Sequence, residues 1–166
     1  MFYDNEQSIF CIPGCLTFAS EITRFLWWDI ENAAISAVKE METVNMQYGL
    51  KFSYRSGILF ITLPSGRSLA YIRPRIEIDE RFGKDKLTYE GIEPNTRKWG
   101  RVDTYGGKLT ENIIQAIARD CLAESMLSLD DRGYKIAFHV HDEVVLDVPN
   151  NFALLEEVED IMGMDI

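Results

Sequence analysis

A chain of 166 residues, 46% hydrophobic and 27% charged, can bury one real core, and one domain is the default at this length. No apolar run reaches the roughly 18–20 residues that span a bilayer, and Met1-Phe2-Tyr3-Asp4-Asn5-Glu6 has neither the basic start nor the apolar core of a signal peptide. These features speak against a membrane or secreted protein and lead us to expect a cytoplasmic one, while a formal charge of −10 argues against a molecule that grips phosphates over its whole surface.

From Ser20 to about Gln47 the apolar residues Ile22, Phe25, Leu26, Ile30, Ala33, Ala34, Ala37, Val38 and Met41 recur at three- and four-residue spacing. That period predicts a long amphipathic helix with Ser20 as its N-cap. Between Lys51 and Pro74 the period changes. Ile58-Leu59-Phe60-Ile61 and Leu69-Ala70-Tyr71-Ile72 are β-prone runs separated by the turn signal Leu63-Pro64-Ser65-Gly66-Arg67, which predicts a hairpin. Residues 75–107 are polar, charged and glycine-containing, and read as irregular connections with one or two short strands.

Charge is unevenly spread along these segments. Residues 67–108 hold ten Lys/Arg against seven Asp/Glu, whereas residues 109–166 hold three against thirteen. A basic middle beside an acidic end fits a phosphate-facing surface next to a metal site, and fits an unevenly charged solvated surface equally well.

The helical period returns from Lys108 to about Leu129, with Leu109, Ile113, Ile114, Ile117, Cys121, Leu122 and Met126 on one stripe and Gly133 as the stop signal. Lys135-Ile136-Ala137-Phe138-His139-Val140 and Val144-Val145-Leu146-Asp147-Val148 then form two apolar β-type runs around His141-Asp142-Glu143, which predicts a tight antiparallel hairpin. Residues 152–162 look like the start of another helix. Cys11, Cys15 and Cys121 are odd in number, and Cys-x3-Cys lacks the spacing and partners of a zinc knuckle, so all three are expected to be ordinary buried thiols.

An aspartate on a hairpin tip between two buried strands, flanked by a histidine and a glutamate, presents oxygen ligands suited to Mg²⁺. Turns attract aspartate for conformational reasons as well. The string Val140-His141-Asp142-Glu143, followed by Val144-Val145-Leu146-Asp147-Val148-Pro149, resembles motif C of family A DNA polymerases. Thr104-Tyr105-Gly106-Gly107-Lys108-Leu109 through Asp120 resembles the palm helix that precedes motif C in phage members. Two further segments resemble phage members in the same order: Leu63-Pro64-Ser65-Gly66-Arg67 as a β-hairpin of the group, and Phe25-Leu26-Trp27-Trp28 with Ala33-Ala34 as the helix leaving the fingers.

The resemblance implies an α+β fold, with long helices packed on a small antiparallel sheet and the motif C hairpin near the C-terminus. It implies a single partial domain: the end of the fingers over about 1–50, the phage-type hairpin and a basic connecting region over 51–107, and the palm helix with motif C over 108–166. The implied activity is template-directed nucleotidyl transfer in DNA replication by two Mg²⁺ ions, with a DNA primer-template and deoxynucleotide triphosphates as partners. Asp142 would be a metal ligand and Glu143 a supporting carboxylate. His141 would lie near the primer terminus, and Lys108 and Arg101 are candidate DNA contacts.

Two-metal chemistry needs carboxylates from two strands. Neither an Asp-Tyr-Ser-x-Ile-Glu motif nor a fingers helix with Arg, Lys and Tyr occurs in the sequence, and Asp29 sits within a helical pattern. The isolated chain is therefore expected to behave as an inactive polymerase fragment that does not hold Mg²⁺ stably. Dimerisation is one way it would cover exposed apolar surface. A non-catalytic, polymerase-derived module that binds nucleic acid or a partner is the alternative. Gly106-Gly107-Lys108 lacks P-loop spacing. A His-Asp phosphohydrolase fits poorly, because those enzymes place the pair on helices.

Overall fold

The computed structural model describes residues 22–79, 83–149 and 155–163. Its order is α1 (Ile22–Glu40), β1 (Val44–Asn45), a one-turn 3₁₀ segment (Gln47–Gly49), β2 (Lys51–Arg55), β3 (Ile58–Thr62), β4 (Ser68–Asp79), β5 (Lys84–Ile92), β6 (Trp99–Thr104), α2 (Gly106–Asp131), β7 (Ile136–Val140), β8 (Glu143–Leu146) and α3 (Leu155–Gly163). No described helix is long and apolar enough to cross a membrane.

Strands β1 to β6 form one antiparallel sheet in sequence order, each strand pairing with the next, and β7 and β8 pair only with each other. The expected mixture of helices and antiparallel sheet is present, but the sheet is six-stranded and not small. The largest difference falls in residues 75–107, which build the end of β4 and all of β5 and β6 where irregular connections with one or two short strands were expected. The reason lies in the pleat. Side chains alternate across a strand, and here one side holds sparse apolar residues such as Ile76, Leu87 and Tyr89 while the other holds charges in register, so overall polarity masks the strand pattern.

β4 also contains Pro74, which argues against a regular strand. It is accommodated where the register slips between Ile72 and Arg75, with Arg73 at φ 45° donating its N–H to the Gly57 carbonyl at 2.8 Å.

The sheet's inner face packs on α1. Ile30, Ala33, Ala34 and Ala37 meet Phe52, Leu59, Ile61, Tyr71 and Leu87, and α2 adds Leu109, Ile113 and Ala116 to the same core. α1 ends at Glu40 instead of near Gln47, because Met41 turns to φ 56° and the chain enters β1. Ser20, its expected cap, lies outside the described residues.

The two helices approach closely at Gly106. A Cβ there would sit 2.1 Å from the Trp27 carbonyl oxygen, closer than any non-bonded pair tolerates, so only glycine fits. On α2, Leu109, Ile113 and Leu122 of the expected stripe are buried and Ile114 points outward, 49% exposed, while Thr110, Ala116, Ser125 and Leu129 complete the buried face.

Candidate functional site

The C-terminal hairpin is placed by the way α2 ends. Gly133 adopts φ 85°, its N–H bonds the Asp130 carbonyl at 2.9 Å, and the Tyr134 N–H bonds that of Leu129 at 3.0 Å. This paired pattern satisfies two otherwise orphaned carbonyls and reverses the chain. Leu129 and Tyr134, both buried, then form a second, smaller core with Ile161 of α3, flanked by Ile136, Val144, Leu146 and Val148. At its base the hairpin is closed by the Asp147 N–H on the Lys135 carbonyl (2.8 Å) and by the Lys135–Asp147 ion pair (2.9 Å). The same contact raises the Lys135 pKa.

Val140 pairs with Glu143, so His141 and Asp142 form a two-residue loop, and His141 takes φ 53° while Asp142 does not turn positive. A positive φ at the first central residue alone is the pattern of a II′ turn, whose twist matches the flanking strands. His141, Asp142 and Glu143 are all exposed at this tip.

The strands that hold the tip are not buried, contrary to expectation. Phe138 is 56% exposed, Val140 45% and Val145 38%. Phe138 lies opposite Val145 and Val140 opposite Glu143, which puts the Glu143 side chain on the same uncovered apolar face. The structure thus brings His141, Asp142 and Glu143 together and leaves Lys108 and Arg101 apart from them. Lys108 lies in the first turn of α2, paired with Glu111 at 2.9 Å, a contact that raises its pKa. Arg101 bonds the Arg73 carbonyl (3.0 Å), Thr88 (3.3 Å) and Glu90 (3.3 Å) within the six-stranded sheet.

Arg119, on α2, was not singled out by sequence reasoning, since its partner lies twenty residues away. Its guanidinium lies against the His139 ring at 3.2 and 3.4 Å and ties the middle of β7 to the helix. One turn of the long hairpin is tied to the same helix. Ser65 Oγ donates to Asp120 at 2.7 Å, Arg67 Nε donates to the same carboxylate at 2.6 Å, and Arg67 Nη2 donates to the Ala116 carbonyl at 2.7 Å. Desolvation pushes the Asp120 carboxyl up, but the hydrogen bonds from Ser65 and Arg67 outweigh it and hold its pKa below the ordinary value. The Leu63–Arg67 turn is therefore a structural clamp between sheet and helix.

Asp142 and Glu143 fit a hard divalent cation in kind, as exposed oxygen donors, and not in number. Among the described residues no group of three or more His, Cys, Asp or Glu side chains could hold a metal ion. Cys121 is a free, half-buried thiol, and Cys11 and Cys15 lie outside the described residues.

The chain is 59% identical over 150 residues to a DNA polymerase of Bacillus phage SP02, in an alignment that covers 90% of this chain and 23% of that protein. It is homologous to part of a phage DNA polymerase. No family model matches the chain, and no solved structure matches it. The matched stretch is long enough to include most of the described elements, so the phage polymerase offers a scaffold into which this segment can be exchanged.

Proposed function

We propose that the chain is the C-terminal palm portion of a family A, phage-type DNA polymerase, and that it contributes one of the two carboxylate-bearing elements of a site for template-directed nucleotidyl transfer. The observation behind this reading is the identity to a phage DNA polymerase across most of the chain, joined to an exposed His141-Asp142-Glu143 tip on a two-residue turn. In this reading Asp142 is a Mg²⁺ ligand, Glu143 supports it, and His141 faces the primer terminus. Two Mg²⁺ ions, when bound, would activate the primer hydroxyl and stabilise the departing pyrophosphate.

The hairpin itself offers rigidity, since a two-residue turn, the Lys135–Asp147 closure and the Arg119–His139 contact all limit how far the tip can swing. Its uncovered face of Phe138, Val140 and Val145 suits a further strand bearing the missing carboxylate. A second copy of the chain is the other candidate cover. A monomeric elution volume over a wide concentration range would exclude the homodimer.

Primer extension tests the proposal. The isolated chain should extend no primer with Mg²⁺ and deoxynucleotides. A hybrid in which this segment replaces its counterpart in the Bacillus phage SP02 polymerase should extend, and Asp142→Asn in that hybrid should abolish extension while leaving DNA binding. A hybrid that polymerises equally well with Asn at 142 would overturn the assignment.

A further inference from the structure

The six-stranded sheet has a second face that no described helix covers. α1 and α2 both lie on the inner face, with Phe52, Leu59, Ile61, Tyr71 and Leu87. Strand alternation therefore places Lys51, Arg55, Arg75, Lys86 and Arg101 on the opposite face, and Arg73 joins them by reaching Glu90 at 3.1 Å. The acidic residues among them are Glu77, Asp79, Glu90 and Asp103, and Glu90 and Asp103 hold cations of the same face. Glu90 is shared by Arg73 and Arg101, and Asp103 holds Lys86 at 2.8 Å.

Among the described residues no carboxylate pairs with Lys51, Arg55, Arg75, or Arg97 and Lys98 at the β5–β6 turn. In a chain of net charge −10 this is a localised positive field, and it includes apolar surface suited to nucleobases: Arg55 lies 4.5 Å over the Phe60 ring, and Trp99 is 60% exposed opposite Ile92.

We infer that this open sheet face binds the phosphate backbone of DNA, at a surface separate from the His141-Asp142-Glu143 tip. Charge complementarity selects the partner: several cations with no carboxylate partner among the described residues share one flat β-face, which attracts a polyanion although the chain as a whole is acidic. A pleated sheet spaces strands about 4.8 Å apart and alternate residues about 6.6 Å apart, close to the spacing between successive phosphates of a strand. The naming of DNA, in preference to another polyanion, rests on the polymerase reading. The binding face itself rests on the sheet.

The test is binding of the unaltered 166-residue chain to a short fluorescent primer-template across a salt series, compared with two charge-matched double variants. Lys51→Glu with Arg75→Glu alters the open face, and Lys39→Glu with Arg132→Glu alters remote surfaces. Both are checked for folding by circular dichroism. The face variant should bind more weakly and lose about two from the slope of log K against log salt, while the remote variant keeps the native slope. Equal losses in the two variants, an unchanged slope in the face variant, or no binding by the unaltered chain at low salt would each overturn the inference. Because the extension assay on the hybrid reads Asp142 and not the sheet, a failure here leaves the polymerase reading standing, and a failure there leaves the face intact.

Discussion

The six-stranded sheet and the β7–β8 hairpin use apolar residues in opposite ways. Phe52, Leu59, Ile61 and Leu87 are fully enclosed between sheet and helices, whereas no residue of β7 or β8 is fully covered and Phe138 and Val140 face outward. The first region holds itself together; the second presents a polar tip and leaves a face for something else to cover. Stability and candidate chemistry therefore reside in different parts of the molecule, and substitutions should separate them.

Phe52→Ala should have the largest effect, a loss of about 3–5 kcal/mol that lowers the midpoint of the whole urea transition, because it empties the centre of the main core. Gly106→Ala should cost about 1–3 kcal/mol or more, since the new methyl meets the Trp27 backbone, while Gly107→Ala, which meets the movable Tyr105 ring, should cost clearly less. Equal melting temperatures for the two glycine variants would refute the close-packing account.

Leu129→Ala should cost about 2–3 kcal/mol locally, and hydrogen exchange should show β7 and β8 losing protection while β2 to β5 keep theirs. Simultaneous loss in both regions would mean that they unfold as one unit. Asp120→Asn should cost about 1 kcal/mol or less near neutral pH, as its ion pair is partly exposed. The folded pKa of Asp120 lies below its ordinary 3.8, so the carboxylate stabilises above that value and the contribution disappears as pH falls through the lower folded pKa. The variant should thus lose part of the acid dependence of the melting temperature. Asp142→Asn should change stability least, within about 0.5 kcal/mol, because the side chain is exposed at the tip.

Much of the architecture was legible where one physical signal dominated. The apolar stripes of α1 and α2, the glycine stop at Gly133 and the turn at Leu63–Arg67 each belong to a local rule, and the structure has each feature. The outer strands were illegible because β5 and β6 bury only one sparse side and interleave Lys86, Glu90, Arg101 and Asp103 on the other. Those charges are matched across strands at separations that no linear window compares. The hairpin that carries the acid tip was legible from its two apolar β-type runs, while the role of its carboxylates rests on the family resemblance and on the proposal above. Arg119 beside His139 and Arg67 beside Asp120 exist only once the chain has folded, and nothing in their local sequence marks them.

The stop at Gly133 has a geometric consequence for the tip. Each residue of an α-helix advances the chain by 1.5 Å and turns it by about 100°. One residue inserted into or deleted from the last turn of α2 would swing the departing hairpin to another quarter of the helix, detach His139 from Arg119 and point Asp142 in a different direction, with every side chain of the hairpin unchanged. The bearing of the carboxylate is set by an integer, the residue count between Arg119 and Gly133.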